Sequence, residues 1–475
     1  MPSPTRWPRT LAKRTRRSRK TSSIRTRWQS SHLWYDSRNL PVPRIAAGVC
    51  DTMRLICLAL LWVACCQVSR AQVSVSVTPE QCRSLLETSL VDFYLPGSLD
   101  KEFGGYFEEL GRDGDFVPTD KFLTMQARQV WFFSTLAVND IRREASLQAA
   151  ESGYRFLCEH FYDSQHGGYI TKTRRNGEPS DTRKHVYPNA FVIYAFVEYY
   201  RASKDDDALR RATQLFETLE SHCHDKQYGG YQEFFYNDWK LVTDPKESGY
   251  VGAINTKTYN SHLHLLEAFT ELYKETDNAL VGRRLAELIT INISTVKHPQ
   301  YACNIDGWTR QWEMIESPSN LRASYGHDVE CAWLVLEAAK ALGQSTTTLE
   351  NWAVTTCDYS IRYGYDHQYG GFHYTGPLGE PSDERKKVWW TQTEALVAML
   401  TLHQLTGDEK YLPLFEGTYK FCEQSLVAKE GGWWNTLTVD GKPDRYPSRT
   451  SMWQGAYHNG RALIRCEALL KEFSQ

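Results

Sequence analysis

Apolar residues recur along this chain at spacings of three and four, which place them on one face of an α-helix. Six long stretches show the pattern most strongly and predict amphipathic helices. A further helical pattern, such as residues 207–223, precedes most of these stretches. The six strong stretches are "KFLTMQARQVWFFSTLAV", "HVYPNAFVIYAFVEYYRA", "YNSHLHLLEAFTELYKET", "GHDVECAWLVLEAAKALG", "VWWTQTEALVAMLTLHQL" and "YHNGRALIRCEALLKEF".

A turn with paired glycines and an aromatic residue separates the helical patterns. Its first glycines lie 63, 62, 141 and 61 residues apart, and the long interval contains a degenerate copy, "NIDGWTRQW". Paired glycines supply the positive φ of a tight turn, and the flanking aromatic residues suit short strands. Each unit of about 62 residues therefore reads as helix, short hairpin, helix. The five clear copies span residues 103–110, 166–173, 228–235, 369–376 and 430–437.

Six helix pairs predict an all-α fold, an (α/α)6 barrel with short β-hairpins at one end. The inner helices would surround a central cavity. An open solenoid is the alternative, but solenoids need polar capping repeats at their ends. No obvious capping repeat is present, which favours closure. We expect residues 72–475 to form this single domain.

The N-terminal region changes the picture of charge. Formal net charge is −2, but residues 1–52 carry twelve Lys and Arg against two Asp, so the remainder has 43 basic and 55 acidic residues. A basic arm is typical of nucleic-acid or membrane binding. However, residues 53–71 read as a secretory signal, with Arg54, a short apolar run, and Ser69 and Ala71 before the cleavage point. We therefore interpret residues 1–52 as the product of an upstream start codon and expect no nucleic-acid partner.

Localisation and redox state follow from where translation starts. A start at Met53 predicts an exported protein, periplasmic or secreted, and an upstream start a cytoplasmic one. The apolar run is too short for a stable membrane span. Eight cysteines, from Cys82 to Cys466, are scattered singly without zinc spacing. The spacing of these cysteines is compatible with disulfide bonds and with buried free thiols.

Polar residues at the start of the inner helices predict a site. In a closed barrel these positions converge on one end of the cavity, whereas a purely structural helix would not need them. The residues are Arg128, Asn189, His262, His264, His327, Glu330, Glu394, His458 and Arg461.

Three kinds of chemistry suit this set. Glu330 and Glu394 would serve an inverting glycosidase if roughly 6.5–9.5 Å apart. Histidines beside a small sugar suit proton transfer near neutral pH, as in epimerisation or isomerisation next to a carbonyl. A metal site is disfavoured because two of its candidate ligands, His262 and His264, lie about 200° apart on a helix. We expect no metal and no other cofactor.

Five segments resemble the N-acylglucosamine 2-epimerase superfamily, in the family's order, over roughly residues 80–472. The closest branch is cellobiose 2-epimerase, to which "GHDVECAW" and "YHNGRA" are more similar than to the N-acylglucosamine branch. The resemblance implies an (α/α)6 barrel, in agreement with the repeat count. The segments are "RQVWFFSTL", "NSHLHLLEAFTELY", "YGHDVECAWLVLEAA", "VWWTQTEAL" and "YHNGRALI".

The resemblance also implies roles. His327 and His458 would exchange the C2 proton of a reducing-end glucose or mannose through a cis-enediolate, and His264 would help to open the ring. Substrate contacts would come from Arg128, Asn260, Glu330, Trp390, Glu394 and Trp453, and Glu330 would also support His327, three residues before it on the same helix face. The implied partner is a small sugar, either a disaccharide or a monosaccharide, and we expect a monomer or weak dimer. N-acylglucosamine epimerisation, aldose–ketose isomerisation of mannose and, less favoured, glycoside hydrolysis remain alternatives.

Several of these residues also have structural interpretations. The structural alternative for Arg128 is an interior salt bridge to Glu394, and for Trp390 and Trp453 it is a place in the core. His262 is expected to turn away from His264, and Asn189 to cap its helix after Pro188.

Overall fold

The computed structural model describes residues 75–244, 246–247, 249, 251–444 and 448–473. These residues belong to one compact unit. Six helices form an inner ring: α3 (Leu123–Val138), α5 (Val186–Ser203), α7 (Tyr259–Thr276), α9 (Tyr325–Ala341), α11 (Trp389–Thr406) and α13 (Tyr457–Phe473). The outer helices are α1 (Pro79–Leu86), α2 (Asp92–Gly97), α4 (Arg143–Phe156), α6 (Asp206–His222), α8 (Ala279–Thr290), α10 (Thr347–Gly364) and α12 (Tyr411–Phe421).

The inner ring is closed. Each inner helix packs against the next, and α13 packs against α3. The outer helix α1 packs on the inner helix α13. The first and last helices of the described residues therefore form the sixth helix pair. The predicted (α/α)6 barrel is confirmed, and the open solenoid is excluded.

Inner and outer helices differ in how they are buried. In α3 every residue from Leu123 to Ala137 is buried, whereas α6 buries one stripe that includes Ala212, Leu215 and Leu219. A helix that is apolar all round belongs inside, and an amphipathic one belongs at the surface. The expectation of amphipathic inner helices is therefore wrong, because these helices pack against neighbours on every side.

The strands lie at the end of the barrel where the inner helices begin. Most of them pair antiparallel between successive repeats, which was not predicted. The predicted hairpin is also present, because a single antiparallel bridge within the same repeat closes each glycine turn and its degenerate copy. The pairs are β1 (Glu109–Leu110) with β2 (Phe116–Val117), β3 (Lys121–Phe122) with β4 (Lys172–Thr173), β4 with β5 (Pro179–Asp181), β6 (Lys184–His185) with β7 (Phe234–Phe235), β8 (Thr256–Thr258) with β9 (Gly307–Thr309), β10 (Arg322–Ser324) with β11 (Thr375–Pro377), and β12 (Lys387–Val388) with β13 (Thr436–Leu437).

A side chain near the start of each inner helix holds the glycine turn of its repeat. It hydrogen-bonds the backbone of the residue after the second glycine, or the equivalent residue of the degenerate repeat. Gly371 shows how close this approach is, because a Cβ there would lie 2.4 Å from Gln392 Oε1. The six pairs are Gln126–Tyr106, Asn189–Tyr169, His262–Tyr231, Asp328–Asn304, Gln392–Phe372 and Gln454–Trp433.

A buried lysine–aspartate pair supports the same turn in four repeats. The lysine precedes the inner helix, and the aspartate precedes the paired glycines. Lys387, for example, lies 2.8 Å from Asp366 and donates to the carbonyl of Gly370. Buried charges need such partners. The other pairs are Lys121–Asp100, Lys184–Asp163 and Lys257–Asp225.

The predicted N-terminal extension (1–52) and signal (53–71) lie outside the described residues. Within the described part of the chain, no helix combines the length and apolar character needed to cross a membrane. The eight cysteines from Cys82 to Cys466 carry free thiols, and all but Cys158 are buried.

We expect Asn189→Ala to destabilise the fold. The Asn189 amide bonds both the N–H and the carbonyl of Tyr169 and the carbonyl of His185, all in a buried setting. Removing it leaves these groups without partners, at a cost of about 2–3 kcal/mol of unfolding free energy. Urea denaturation followed by circular dichroism measures the effect. The control is Asn176→Ala, at an exposed turn, and equal losses in both variants would contradict the turn-holding role.

Candidate active site

The starts of the inner helices open into a cavity of about 480 Å³. This volume lies within the range of small-molecule pockets. The family resemblance assigned catalytic or substrate-binding roles to nine residues, and eight of them line this cavity: Arg128, Asn260, His264, His327, Glu330, Trp390, Trp453 and His458. The ninth, Glu394, is fully buried behind the cavity wall.

Glu394 contacts a histidine rather than the cavity. His458 Nδ1 lies 2.7 Å from Glu394 Oε1, and Trp333 donates to the other carboxylate oxygen at 3.2 Å. This arrangement favours a hydrogen on Nδ1 of His458 and leaves Nε2 for the cavity. The expectation that Glu394 binds substrate is replaced by a positioning role.

Arg461 joins three carboxylates from three inner helices. Its guanidinium donates to Glu330 at 2.6 Å, to Glu394 at 2.8 Å, and to Glu267. The Tyr457 hydroxyl also donates to Glu267. Every member of this cluster is buried, and one cation serving several carboxylates offsets the cost of burying them.

The carboxyl groups of this cluster differ in acidity. Burial opposes the ionisation of Glu267, but Arg461 and His264 outweigh it and lower its pKa to about 2. Burial, together with the charge of Glu394, raises the pKa of Glu330 well above its usual value. Of these two carboxyl groups, Glu330 therefore binds a proton the more readily.

His264 is held by a carboxylate, as His458 is. Its Nδ1 lies 3.0 Å from Glu267 Oε2, and its ring packs edge-on against Tyr187. Burial is the main cause that lowers the pKa of His264, to about 4. The imidazole is neutral at pH 7 and presents Nε2 to the cavity.

His327 does not pair with Glu330, although the two lie three residues apart on α9. Its Nδ1 lies 2.8 Å from the Ser324 hydroxyl, while Glu330 turns to Arg461 on α13. The expectation that Glu330 holds His327 is therefore wrong, because a shared helix face does not make two side chains meet when one has a stronger partner. Burial and His264 lower the pKa of His327 to about 3.

Trp390 connects the two predicted proton carriers. Its ring centroid lies 4.6 Å from that of His327 and 5.7 Å from that of His458. Burial, Arg128 and Arg461 lower the pKa of His458 well below its usual value. Two imidazoles thus flank one aromatic wall of the cavity.

Arg128 binds Trp453 instead of Glu394. It donates to the Trp453 carbonyl at 2.5 Å and to the Tyr187 hydroxyl at 2.7 Å, and it lies over the Phe191 ring. The salt bridge to Glu394 is therefore excluded as an explanation for this arginine. Asn260 Oδ1 is buried without a hydrogen-bond partner among the described residues, so it is available to a ligand.

Two of the converging polar residues serve the fold. His262 accepts from Tyr231 N at 2.9 Å, and Asn189 accepts from Tyr169 N at 3.0 Å. Neither lines the cavity. The expected structural role of His262 is confirmed. Asn189 holds a turn through its amide, rather than capping its helix.

Sequence reasoning missed three cavity residues that share one repeat position. Asp306, Tyr374 and Asn435 line the cavity, and each lies two residues after the backbone that the inner-helix side chain holds. Asp306 also accepts from Asn260 N at 3.0 Å, and burial raises its pKa to about 6. Their shared position after the glycine turn is visible when the repeats are aligned, and it would have identified them from the sequence.

Glu330, Glu394 and His458 bring ligand-type atoms within 4.8 Å of one another. Arg461 already donates to both carboxylates. A guanidinium in this position supplies the positive charge that a metal ion would otherwise bring, so these residues do not fit a metal site.

Comparison with known proteins places these features in a family. The sequence profile of the N-acylglucosamine 2-epimerase family matches residues 105–459. Cellobiose 2-epimerase of Bacteroides fragilis is 30% identical over 395 residues, covering 82% of this chain and 98% of that protein. The D-mannose isomerase of Marinomonas mediterranea is 25% identical, covering 80% and 94%. The solved structure of cellobiose 2-epimerase from Bacillus thermoamylovorans superposes with a TM-score of 0.75 at 30% identity, covering 82% of this chain and 98% of that one.

We expect His327 to make the fold acid-sensitive. The unfolded chain binds a proton at this histidine near pH 6.5, but the folded protein does so only near pH 3. Between these values the unfolded state holds more protons, so this contribution to stability is fully present above pH 6.5 and is lost as the pH falls. In His327→Gln the decline in unfolding free energy should be shallower than in wild type, by at most about 1.4 kcal/mol per pH unit. Urea unfolding at pH 7 and pH 4.5 measures it, and identical slopes would contradict the lowered pKa.

Proposed function

The chain belongs to the N-acylglucosamine 2-epimerase family, and we propose that it is a sugar 2-epimerase. Its substrate is a β-1,4-linked disaccharide like cellobiose, whose reducing-end glucose and mannose forms it interconverts. The observation that carries the proposal is the pair of imidazoles, His327 and His458, packed on Trp390 in one cavity. The similarity to cellobiose 2-epimerases supports the substrate class.

The reaction exchanges the proton on C2 of the open-chain sugar. One of His327 and His458 removes this proton through Nε2, and the bonding electrons move into a cis-enediolate. The other imidazole, entering in its protonated form, returns a proton to the opposite face of C2. Proton transfer by placed imidazoles contributes roughly 10²- to 10⁴-fold to rate.

Other residues bind the sugar and stabilise the charge. Arg128 stabilises the negative charge that develops on the enediolate oxygens, and Asn260 bonds a sugar oxygen. His264 moves the proton between O1 and O5 as the ring opens. Glu330 contributes a carboxyl group beside the sugar, while Trp390 and Trp453 provide apolar walls for it.

Glu394 and Glu267 act through the histidines that they hold. Each carboxylate accepts from an Nδ1–H and stabilises the imidazolium that forms when Nε2 takes a proton. Arg461 keeps both carboxylates in place.

Aldose–ketose isomerisation is the second candidate. The same enediolate yields a ketose if the proton returns to C1 instead of C2, and the chain is similar to a D-mannose isomerase. The two activities therefore differ in which carbon of the enediolate, C1 or C2, receives the proton.

Incubation in D2O tests the function. With cellobiose, glucose, mannose and N-acetylmannosamine as substrates, we expect deuterium at C2 and an epimeric product, detected by NMR. His327→Ala and His458→Ala should each lower the rate by about 10²-fold or more, whereas His367→Ala, at an exposed position, serves as the control.

Other products would redirect or reject the proposal. A ketose indicates the isomerase, and monosaccharides from cellobiose indicate a hydrolase. Full activity in either histidine variant, or no exchange with any of the four sugars, contradicts the 2-epimerase mechanism.

We also propose that residues 53–71 direct export and are removed after Ala71. Expression from Met53 in a bacterial host, followed by N-terminal sequencing of the periplasmic or secreted product, should give Gln72 as the first residue. An uncleaved product retained in the cytoplasm would contradict this.

A further inference from the structure

The serine that precedes α9 does not cap its helix. Residues at this position ordinarily accept a hydrogen bond from the second or third N–H of the helix. Ser324 makes no such bond, although its backbone is extended as a cap requires. Its hydroxyl lies 2.8 Å from Nδ1 of His327 instead. Side chains at four other helix starts do cap: Thr78, Asp205, Thr258 and Asn278.

His327 has a different partner from the other two cavity histidines. His458 and His264 are held by carboxylates, Glu394 and Glu267. No carboxylate bonds the His327 ring among the described residues; it packs on Trp390 and lies 5.9 Å from the Tyr259 ring. The Tyr259 hydroxyl bonds the His327 carbonyl, and therefore fixes its backbone but not its ring. Ser324 is the hydrogen-bonding group that remains to orient the imidazole.

We propose that Ser324 is a positioning residue, whose hydroxyl accepts the Nδ1–H of His327 and thereby presents Nε2 to the sugar. Without this bond the ring loses its fixed plane, and neutral imidazole reverts to the tautomer with hydrogen on Nε2. In that tautomer Nε2, the nitrogen that faces the sugar, has no free lone pair with which to remove a proton from C2. Because the hydroxyl carries no charge, it stabilises imidazolium less than a carboxylate does.

The kinetic arm of the test rests on the proposed epimerase function. Ser324→Ala should lower kcat on the order of 10- to 100-fold, as misplacement of a reacting group does, with little change in KM. Ser324→Thr keeps a hydroxyl on the same carbon and should restore most of the rate. An unchanged kcat in Ser324→Ala, or no rescue by Ser324→Thr, would overturn the proposal.

Thermal unfolding separates positioning from capping. Ser324→Ala removes no cap bond, so its melting temperature should fall less than that of a variant that loses a helix cap. The control is Asn278→Ala, which removes the cap of the outer helix α8 and should lower the melting temperature while leaving kcat unchanged. A melting temperature lowered by Ser324→Ala to the same extent, with kcat unchanged, would show that Ser324 is a cap and overturn the proposal.

A spectroscopic arm needs no turnover. In protein labelled with ¹⁵N-histidine, His327 should carry its hydrogen on Nδ1 at pH 7, and in Ser324→Ala on Nε2. The same tautomer in both proteins would contradict the proposal, even if the wild-type enzyme acts on some other sugar. If wild type exchanges no C2 proton yet the tautomer shifts, the proposed function fails and the positioning role stands.

Discussion

The cavity depends on a single buried guanidinium. Arg461 extends from α13 and donates to carboxylates from α7, α9 and α11. Burial alone would lower the pKa of Arg461, but Glu267 and Glu394 raise it well above its usual value. Three carboxylates in one dry space would otherwise repel each other and take up protons. The same ion pairs fasten four of the six inner helices together at the level of the site.

Charge and geometry are coupled through this cluster. Two of its carboxylates each hold one imidazole, so the position of Arg461 determines where the Nε2 atoms of His264 and His458 lie. The cluster also separates the acidities of its carboxyl groups: the pKa of Glu267 lies below its usual value, and the pKa of Glu330 lies well above it. A site that moves protons needs groups with different affinities for them, and here one cation sets several of those affinities.

The repeat predicted the fold well and the site only in part. The spacing of glycine turns gave the number of helix pairs, because each turn requires a positive φ that few residues besides glycine adopt. The same reasoning placed polar residues at the inner-helix starts, but it did not separate His264, which faces the cavity, from His262, which holds a turn. It also paired His327 with Glu330, because the true partner, Arg461, is 131 residues away from Glu330. Contacts between repeats cannot be read from spacing within one of them, and the pairing of strands across repeats was missed for the same reason.

Closure of the ring by α1 and α13 has a consequence for how the molecule is made. Arg83 on α1 bonds Glu467 on α13 across 384 residues, one of the longest loops the chain must close, and such contacts form late. Because α13 also carries His458 and Arg461, the active site is not assembled until α13 has docked. Until the last helix docks, Glu267, Glu330 and Glu394 face one another without their cation. Completion of the barrel and assembly of the site are therefore a single event in folding.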